Sequence, residues 1–240
     1  MSENNAIMQG GSVAESCVLQ ISDLHKSYGS HPVLEGVSFS IPRGKIVGLL
    51  GPNGCGKSTI MKMISGLLPA DNGSILIDGH LPGLVSKSIV SYLPERTYLN
   101  DWMKVSEVLQ FFSDFYADFD LERAQQMLAD LHLSPNTRLK TMSKGTKEKV
   151  QLILVMSRRA QLYLLDEPIG GVDPAAREYI LNTILKNFLI TTHLIQDVEA
   201  IFDQVLFLNQ GKIVIDGEVD EIRQQHGKSI DRLFREVFKC

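Results

Sequence analysis

The sequence predicts an α/β fold: a mostly parallel sheet core, with an antiparallel β part at the amino end and a helical insertion. Short runs of mainly apolar residues, typical of strands buried on both faces, lie at 46–50, 162–165 and 189–192. Stretches in which apolar residues recur with helical spacing separate these runs. Strands that alternate with helices in this way indicate a parallel sheet.

The amino-terminal part of the chain is rich in strand signals. Residues 18–50 look like several short strands, with turns at 28–30 and 42–44. A further short strand and turn is expected at 75–79. Apolar residues alternate with polar ones in places, as in a strand with one buried face: Val37, Phe39 and Ile41. We therefore expect an antiparallel sheet in this part.

Helical spacing dominates the middle of the chain. The pattern is helical over 105–133, which places a helical insertion at about 96–140. Helices are also expected at 58–67, 147–159 and 174–187, the last with proline at its first position. These helices supply the connections between the predicted strands.

A hairpin and a helix are expected at the carboxyl end. The hairpin turns around 209–211. Segment 222–238 is amphipathic, so it could dock on the rest of the chain or pair two subunits. We favour a helix that simply packs against the core. The chain is therefore divided into a flexible tail (1–16), a main domain (17–217) that contains the helical insertion, and a C-terminal helical segment (218–240).

Composition limits the classes of function. The chain has 240 residues, of which 44% are hydrophobic and 22% charged, as in a globular protein with a sizeable core. Its net charge of −4, without a long basic stripe, argues against nucleic acid as a partner. No apolar run approaches the ~18 residues that cross a bilayer. Any membrane role is therefore expected to come through a partner.

The cysteines and the amino terminus favour the cytoplasm. Cys17, Cys55 and Cys240 have neither metal-ligand spacing nor a disulfide pattern, which suits a reducing compartment. Residues 1–16 are polar and lack the charged and then apolar profile of a signal peptide. We therefore expect a cytoplasmic protein.

The most informative segment is the glycine-rich run at 51–59, which has the pattern G-x-x-x-x-G-K-[ST] between a predicted strand and a predicted helix. Glycines let backbone N–H groups converge on phosphate oxygens, and the helix N-terminus adds its positive dipole. Lys57 is expected to reach the β- and γ-phosphates, and the Ser58 hydroxyl to ligate Mg²⁺. The predicted nucleotide-binding residues of this run are Gly51, Asn53, Gly54, Cys55, Gly56, Lys57, Ser58 and Thr59.

Two acidic residues end the strand predicted at 162–165. Asp166 and Glu167 would lie at the carboxyl end of a buried strand, where ligands bind in open α/β sheets. Asp166 is expected to hold Mg²⁺ through water, and Glu167 to orient and deprotonate the attacking water. Alone, such a pair equally fits the start of a surface loop. Together with the glycine-rich run it predicts a phosphate-loop NTPase core that hydrolyses its nucleotide.

With these two segments in register, residues 18–217 resemble the ATP-binding cassette (ABC) family. The resemblance implies that Tyr28 stacks on adenine, which makes ATP the expected nucleotide. It also implies that His193 contacts the γ-phosphate and senses its loss. Lys57, Glu167 and His193 are therefore the expected catalytic residues.

The resemblance extends to segments that act between two subunits of the family. Residues 142–146 stand at the family signature, where Ser143 and Gly145 would contact the γ-phosphate of ATP held by the other subunit. Residues 169–173 match the loop that crosses between the two ATP sites. Lys144 makes the signature similar to that of ABC-2-type exporters.

Two features depart from the family pattern. Glu95 stands where the family usually has glutamine, but a carboxylate can still ligate Mg²⁺ or its water. Asp166 and His193 are 27 positions apart (193 minus 166), several fewer than usual. A helix over 174–187 would then reach the next strand through about one residue, whereas such connections usually take about 2–6. Either the helix ends early, or a loop is absent between 187 and 189. We expect that a loop is absent.

The sequence thus predicts the ATP-binding and ATP-hydrolysing subunit of an ABC transporter, one that resembles ABC-2-type exporters. The resemblance implies ATP and Mg²⁺ as cofactors, a homodimer or another paired ATPase subunit, and a separate integral membrane permease. It places the chain on the inner face of the cell membrane through that permease. The alternative is a soluble ABC ATPase of assembly, repair or translation. Glu167 and His193 argue against a third reading, a regulatory module with little hydrolysis.

The permease is expected to dock on the helical insertion and on residues 95–102. Tyr98, Leu99 and Trp102 either form an exposed apolar contact for it or pack within the insertion's own core. The transported substrate would be set by the membrane chain.

Overall fold

The computed structural model describes residues 17–168, 170, 173–184 and 186–238, with the backbone alone at Asp197. Several sequence predictions fall outside these residues. They concern the tail 1–16, Cys240, residue 185 of the predicted helix, and Ile169, Gly171 and Val172 of the crossing loop.

Strands and helices alternate along the described residues. The strands are β1 (Cys17–Tyr28), β2 (His31–Pro42), β3 (Ile46–Leu50), β4 (Asn72–Ile77), β5 (Val90–Leu93), β6 (Leu162–Asp166), β7 (Phe188–Thr191), β8 (Gln204–Asn209) and β9 (Lys212–Glu218). The helices are α1 (Lys57–Ile64), α2 (Leu84–Ile89), α3 (Val105–Phe115), α4 (Leu121–Asp130), α5 (Lys144–Met156), α6 (Pro174–Thr183), α7 (Ile195–Val198), α8 (Val219–His226) and α9 (Ile230–Phe238). A 3-10 turn, Leu139–Thr141, precedes α5.

The central sheet has six strands in the order β5-β6-β7-β3-β8-β9. Neighbours from β5 to β8 run parallel, and β9 pairs antiparallel with β8. This confirms the mostly parallel core. Because β6, β7 and β3 are adjacent, their carboxyl ends meet at one edge of the sheet. The glycine-rich loop, the acidic pair and His193 follow these three strands, so the topology brings them together.

A second sheet, in the order β2-β1-β4, is antiparallel throughout. The antiparallel part at the amino end is therefore confirmed. Its first two strands are longer than the short ones predicted, with 12 residues each, and they form one hairpin in which Tyr28 pairs with His31. Register shifts, such as the one between Ile21 and Leu24, interrupt the alternation of apolar residues. That interruption makes one long strand resemble several short ones.

The central sheet is covered on both faces. Ile46 and Leu50 of β3 face a hydrophobic cluster that includes residues of α3 to α9. Val47 and Leu49 face a second cluster, formed with α1 and the three-stranded sheet. Successive residues of a strand point to opposite faces, so a strand buried on both faces is apolar throughout. This explains the continuous apolar run at β3.

Helix α6 ends at Thr183, four residues before the predicted end. Ile184 has extended backbone angles (φ −74°, ψ 117°), and Asn187 is left-handed (φ 60°). The Asn187 side-chain oxygen accepts a hydrogen bond of 2.6 Å from the backbone N–H of Gly44, which holds this turn against the sheet. Residues 184–187 then lead into β7, a length that such connections usually have. The helix thus ends early, so the connection itself does not require an absent loop.

The helical stretch predicted at 105–133 is two helices, α3 and α4. Asp120 begins α4, since its carboxylate accepts from the backbone N–H of Arg123 at 3.0 Å. Helix α5 begins at Lys144, three residues earlier than predicted, because Ser143 caps it. Helix α2 and strand β5 were not predicted, because they have only six and four residues and are too short to show a period.

The C-terminal segment forms two helices that dock on the main domain. Gly227, with φ 63°, ends α8. Ile230 and Leu233 of α9 are buried, and the ring of Phe234 lies 5.6 Å from that of Phe207 on β8. Packing against the core, the favoured expectation for this segment, is therefore confirmed. Within the described part of the chain, no helix combines the length and the apolar character needed to span a membrane.

Candidate active site

Most of the predicted site residues gather around one cavity of about 1190 Å³ at the edge where β3, β6 and β7 end. Most of its walls come from residues that the sequence analysis selected: Tyr28, Asn53, Gly54, Gly56, Lys57, Ser58, Thr59, Glu95, Asp166, Glu167 and His193. The remaining walls come from Val33, Arg96, Thr97, Lys144, Glu148 and Gly170.

The side chain of Lys57 bonds back to the start of the glycine-rich loop. Lys57 Nζ donates to the carbonyl oxygens of Gly51 (2.7 Å) and Pro52 (3.1 Å). Gly56 has φ 112°, and a Cβ there would lie 2.7 Å from the side chain of Leu34, so only glycine fits. Helix α1 starts at Lys57, and the first N–H groups of a helix have no partner within it. These N–H groups are therefore available to an anion.

Gly51 and Cys55 lie beneath the loop and do not line the cavity. Cys55 is buried in the cluster between β3 and α1, and this burial raises the pKa of its thiol, although nearby Lys57 opposes the shift. A Cβ at Gly51 would lie 2.4 Å from the carbonyl oxygen of Leu208 and 2.6 Å from Cys55 Sγ. Both residues were predicted to bind nucleotide. The structure places them behind the residues that line the cavity, and their contact with nucleotide stays a prediction.

The acidic pair ends β6, and Thr191 on neighbouring β7 contacts both of its members. Asp166 is buried, and its Oδ1 accepts from the Thr191 hydroxyl at 2.6 Å. The same hydroxyl oxygen accepts from the backbone N–H of Glu167 at 3.2 Å. Asp166 Oδ2 is buried and has no hydrogen-bond partner among the described residues. An unpaired buried carboxylate oxygen is costly, so this atom suits a cation.

Glu167 and His193 form a hydrogen-bonded pair. His193 Nδ1 lies 2.8 Å from Glu167 Oε2, and the backbone N–H of His193 donates to the same oxygen at 3.3 Å. Glu167 has φ 54°, a backbone conformation that is uncommon outside glycine. Burial raises the pKa of the Glu167 carboxyl, and His193 and then Lys57 lower it again in part. A carboxylate with a raised pKa is the kind that serves as a general base.

Tyr28 and Val33 come from the two strands of the amino-terminal hairpin. The Tyr28 side chain is 49% exposed, which leaves its ring open to a ligand. Val33 is half-buried and packs against the cluster below it. An aromatic ring beside an aliphatic side chain suits a stacked base. Val33 was missed, although the hairpin turn that follows Tyr28 could have indicated it.

The signature segment caps helix α5. Ser143 Oγ accepts from the backbone N–H of Thr146 at 3.2 Å. Neither Ser143 nor Gly145 is among the residues that line this chain's own cavity, whereas their neighbours Lys144 and Glu148 are. Lys144 Nζ lies 3.7 Å from Glu148 Oε1, one helical turn away.

Two residues of the crossing loop are described. Gly170 lines the cavity, and Asp173 caps α6 by accepting from the backbone N–H of Ala176 at 3.0 Å. Asp173 also forms an ion pair with Lys149 of α5. The start of α6 is thereby tied to the helix that carries the signature segment.

The predicted metal ligands Ser58, Glu95 and Asp166 all line the cavity. In the described part of the chain, no three His, Cys, Asp or Glu side chains come close enough together to hold a metal by themselves. Mg²⁺ is often held by only one or two carboxylates, with phosphate oxygens and water completing its shell. The donor set fits that mode.

Comparison with known proteins decides the family. The family model described as ABC transporter matches residues 34–170, from β2 to just past the acidic pair. The chain belongs to the ABC transporter family. It is therefore an ATPase with the phosphate-loop NTPase fold, and the resemblance seen in the motifs is confirmed.

Curated relatives of this ABC ATPase align over most of its length. The linearmycin resistance ATP-binding protein of Bacillus subtilis (strain 168) is 30% identical over 88% of this chain and 72% of its own. The SkfA peptide export ATP-binding protein of the same strain is 33% identical over 87% and 92%. The lipopolysaccharide export system ATP-binding protein of Escherichia coli (strain K12) is 30% identical over 88% and 95%.

Solved ABC structures share the fold. An ATP-binding subunit of an ABC transporter superposes with a TM-score of 0.84 at 31% identity, covering 92% of this chain and 99% of that one. An ABC cassette in its ADP conformation superposes with a TM-score of 0.69 at 26% identity, covering 85% and 92%.

Thr191 is the residue beside the acidic pair of this ABC ATPase that sequence reasoning most clearly missed. It lies directly opposite Asp166 in the parallel register of β6 and β7. A single threonine at the end of an apolar strand gives no signal of its own. Only the pairing of the two strands shows that its hydroxyl reaches both acidic residues.

Proposed function

We propose that this ABC ATPase is the ATP-hydrolysing subunit of an exporter, in which a pair of ATPase subunits drives a separate membrane permease. One observation carries the hydrolytic part: the glycine-rich loop shares a cavity with Asp166 and with the pair Glu167 and His193. Oδ2 of Asp166 has no partner within the residues that the structure describes. The export part is supported by relatives that are named for peptide export and lipopolysaccharide export.

The phosphates of ATP bind at the glycine-rich loop. Their oxygens accept from N–H groups at the start of α1, where the helix dipole also favours negative charge. When ATP binds, Lys57 gives up its hydrogen bonds to the Gly51 and Pro52 carbonyls and donates to phosphate oxygens instead. A hydrogen bond between two charged groups is stronger than one to a neutral carbonyl. The adenine stacks on the exposed ring of Tyr28, beside Val33.

The Mg²⁺ that accompanies ATP has matching ligands. Asp166 Oδ2, which is buried and has no partner in the described part of the chain, offers an oxygen directly or through water. Ser58 supplies a hydroxyl beside the phosphates, and Glu95 a second carboxylate on the same cavity. When bound, Mg²⁺ neutralises charge that develops on the phosphates.

Hydrolysis uses Glu167 as the general base. A water attacks the γ-phosphorus, the bond to the β-phosphate oxygen breaks, and the water's proton passes to the Glu167 carboxylate. Both contacts from His193 go to Oε2, so Oε1 is left to face the water. His193 thereby fixes the orientation of the base. Thr191 holds the backbone of Glu167 in register with Asp166.

The second ATPase subunit completes the site. Ser143 and Gly145 lie at the N-terminus of α5 but outside this chain's own cavity. Their hydroxyl and N–H groups therefore serve ATP bound by a partner subunit, as the same groups of the partner serve this one. ATP then binds the closed pair better than the open one and shifts the population toward closure.

Exposed aromatic side chains on the helical insertion and on the segment before it receive the permease. They are Tyr98, Trp102, Phe111 and Phe115, which are each about half exposed or more. The rings of Phe111 and Phe115 stack 6.1 Å apart on α3. Leu99 by contrast is half-buried and packs against the core. Exposed aromatic clusters of this kind mark interaction sites, and a permease would hold the chain at the inner face of the membrane.

The hydrolytic proposal is tested with Glu167→Gln. We expect the variant to bind ATP normally, to lose about 10²–10⁴-fold in hydrolysis, and to accumulate an ATP-dependent dimer in light scattering. Glu122→Gln, on an exposed face of α4, is the matched control and should change neither property. Unchanged hydrolysis without an ATP-dependent dimer would contradict the proposal.

A further inference from the structure

A one-turn helix lies immediately after His193. Helix α7 starts at Ile195 and ends at Val198. A helix of four residues is not stable by itself, because helix nucleation is costly. Ile195 and Val198 are buried in the core and anchor one face of α7. The position of the helix therefore depends on what holds its other face.

The C-terminal helices hold that face through a polar network. Glu199, at the C-cap of α7, accepts through Oε2 from the backbone N–H of Asp231 (2.9 Å) and through Oε1 from Arg223 (3.3 Å). Gln196 Nε2 donates to Asp231 Oδ2 at 2.9 Å. Arg235 donates to the same carboxylate oxygen at 3.0 Å. The Glu199 side chain is only 18% exposed, so water competes weakly for these bonds.

Apolar contacts lie beneath the network. Ile230 and Leu233 of α9 are buried in the same cluster as Ile195 and Val198. The Glu199 carboxylate also stands at the N-terminal turn of α9, where the helix dipole favours a negative charge. Helices α7 and α9 are therefore held together by both polar and apolar contacts.

The path from α7 to the acidic pair is short. Leu194 N–H donates to the Thr192 hydroxyl oxygen at 3.0 Å, which makes a tight turn between β7 and α7. His193 stands in this turn, and its backbone N–H and ring Nδ1 both contact Glu167. A displacement of α7 would move both of these groups.

We infer that the C-terminal helices position His193 for ATP hydrolysis, with Glu199 and Gln196 as the positioning residues. The inference rests on the role proposed above for His193. It gives the C-terminal segment a function in the catalytic cycle beyond packing on the core.

Glu199→Ala should lower kcat about 10-fold, since small misplacements of catalytic groups are costly. The KM for ATP should stay within about twofold, because Tyr28 and the phosphate loop are untouched. Glu199→Gln keeps a carbonyl acceptor for the Asp231 N–H and should restore part of the loss. The matched control is Glu236→Ala, which breaks the 2.6 Å pair with Lys228 within the same segment and does not touch α7. Its kcat should be unchanged.

The deciding experiment is a double-mutant cycle on the full chain. If Glu199 acts through His193, Glu199→Ala has no further effect on kcat in the His193→Ala background. The NMR resonances of the His193 ring, assigned with His193→Ala, should shift in Glu199→Ala and stay in place in Glu236→Ala. Gln196→Ala removes one bond and gives the same spectral test should Glu199→Ala fold poorly.

Several outcomes would overturn the inference. They are multiplicative losses in the double variant, ring resonances of His193 that do not move, and an equal loss of kcat in Glu236→Ala. An unchanged rate in His193→Ala would overturn the proposed role of His193 itself, and this inference with it. A reduced rate in His193→Ala with an independent effect of Glu199→Ala would overturn only the inference.

Discussion

Replacing Arg158 with alanine is expected to cost about 3–5 kcal/mol of unfolding free energy, because this buried side chain joins the helical insertion to the central sheet. Its guanidinium contacts both carboxylate oxygens of Asp118, each at 3.0 Å. It also donates to the carbonyl oxygens of Val90 and Ser88, each at 2.7 Å, and lies 4.0 Å from the ring centroid of Tyr116.

The magnitude follows from what the substitution leaves behind. Removing one partner of a buried ion pair costs about 3–5 kcal/mol, and loss of a cation–π contact adds about 0.5–2 kcal/mol. The Asp118 side chain is 26% exposed, so water regains part of this energy and the total stays near the first figure. For a domain of this size, about 2–4 °C per kcal/mol gives a fall in melting temperature of roughly 6–20 °C.

The assay is thermal and urea denaturation of Arg158→Ala beside Arg159→Ala. Arg159 is the next residue, is 72% exposed and pairs with Asp120 at 2.9 Å. Water screens such an exposed pair, so the control should change the melting temperature little. Arg158→Lys should fall between them, since an ammonium group cannot bridge both Asp118 oxygens and two carbonyls. Equal losses in the two alanine variants would refute the reasoning.

Two further predictions concern catalysis. Tyr28→Ala should raise the KM for ATP about 2–12-fold in steady-state kinetics, because it removes the ~0.5–1.5 kcal/mol of aromatic stacking. Its kcat should be unchanged, and the control Tyr28→Phe should behave as the native chain. An unchanged KM in the alanine variant would exclude stacking. Burial raises the pKa of Glu167, and a general base must be deprotonated. Hydrolysis should therefore fall as the pH falls through that raised pKa, and the residual rate of Glu167→Gln should lack this acid limb in a pH profile.

The parts of the site that are continuous in sequence could be predicted from it. The glycine-rich loop and the acidic pair each follow an apolar strand, and these strands are adjacent to β7 in the sheet. Strand, loop and helix are local patterns, so residue order alone indicates them. Tyr28 and His193 carry no such local signal. Their placement came from the family resemblance.

Contacts between distant segments could not be predicted. The turn that follows α6 is fixed by the bond from Gly44 to Asn187, 143 positions away in the sequence. The Thr191 hydroxyl reaches Asp166 because of strand pairing across 25 positions. The side chain of Cys55 points into the core although its neighbours line the cavity. In each case tertiary packing decides, and a pattern along the chain does not report it.

The network between α7 and the C-terminal helices likewise joins segments that are distant in the sequence, so it could not be predicted either. Asp231 and Glu199 are 32 positions apart, and each looks like an ordinary surface charge in the sequence. Amphipathicity indicated that α9 would dock. It did not indicate that the docked helix would contact the residues that follow His193.

The central claim, that this ATPase drives a permease, is tested most directly by purifying the full chain from detergent-solubilised membranes and identifying bound proteins by mass spectrometry. The account predicts a multi-span membrane protein with the native chain. This membrane protein should no longer co-purify with the Phe111→Ser, Phe115→Ser double variant. It should still co-purify with the control Val214→Ser, which alters an exposed apolar residue on β9. Purification of the native chain from membranes without any multi-span protein would contradict the account.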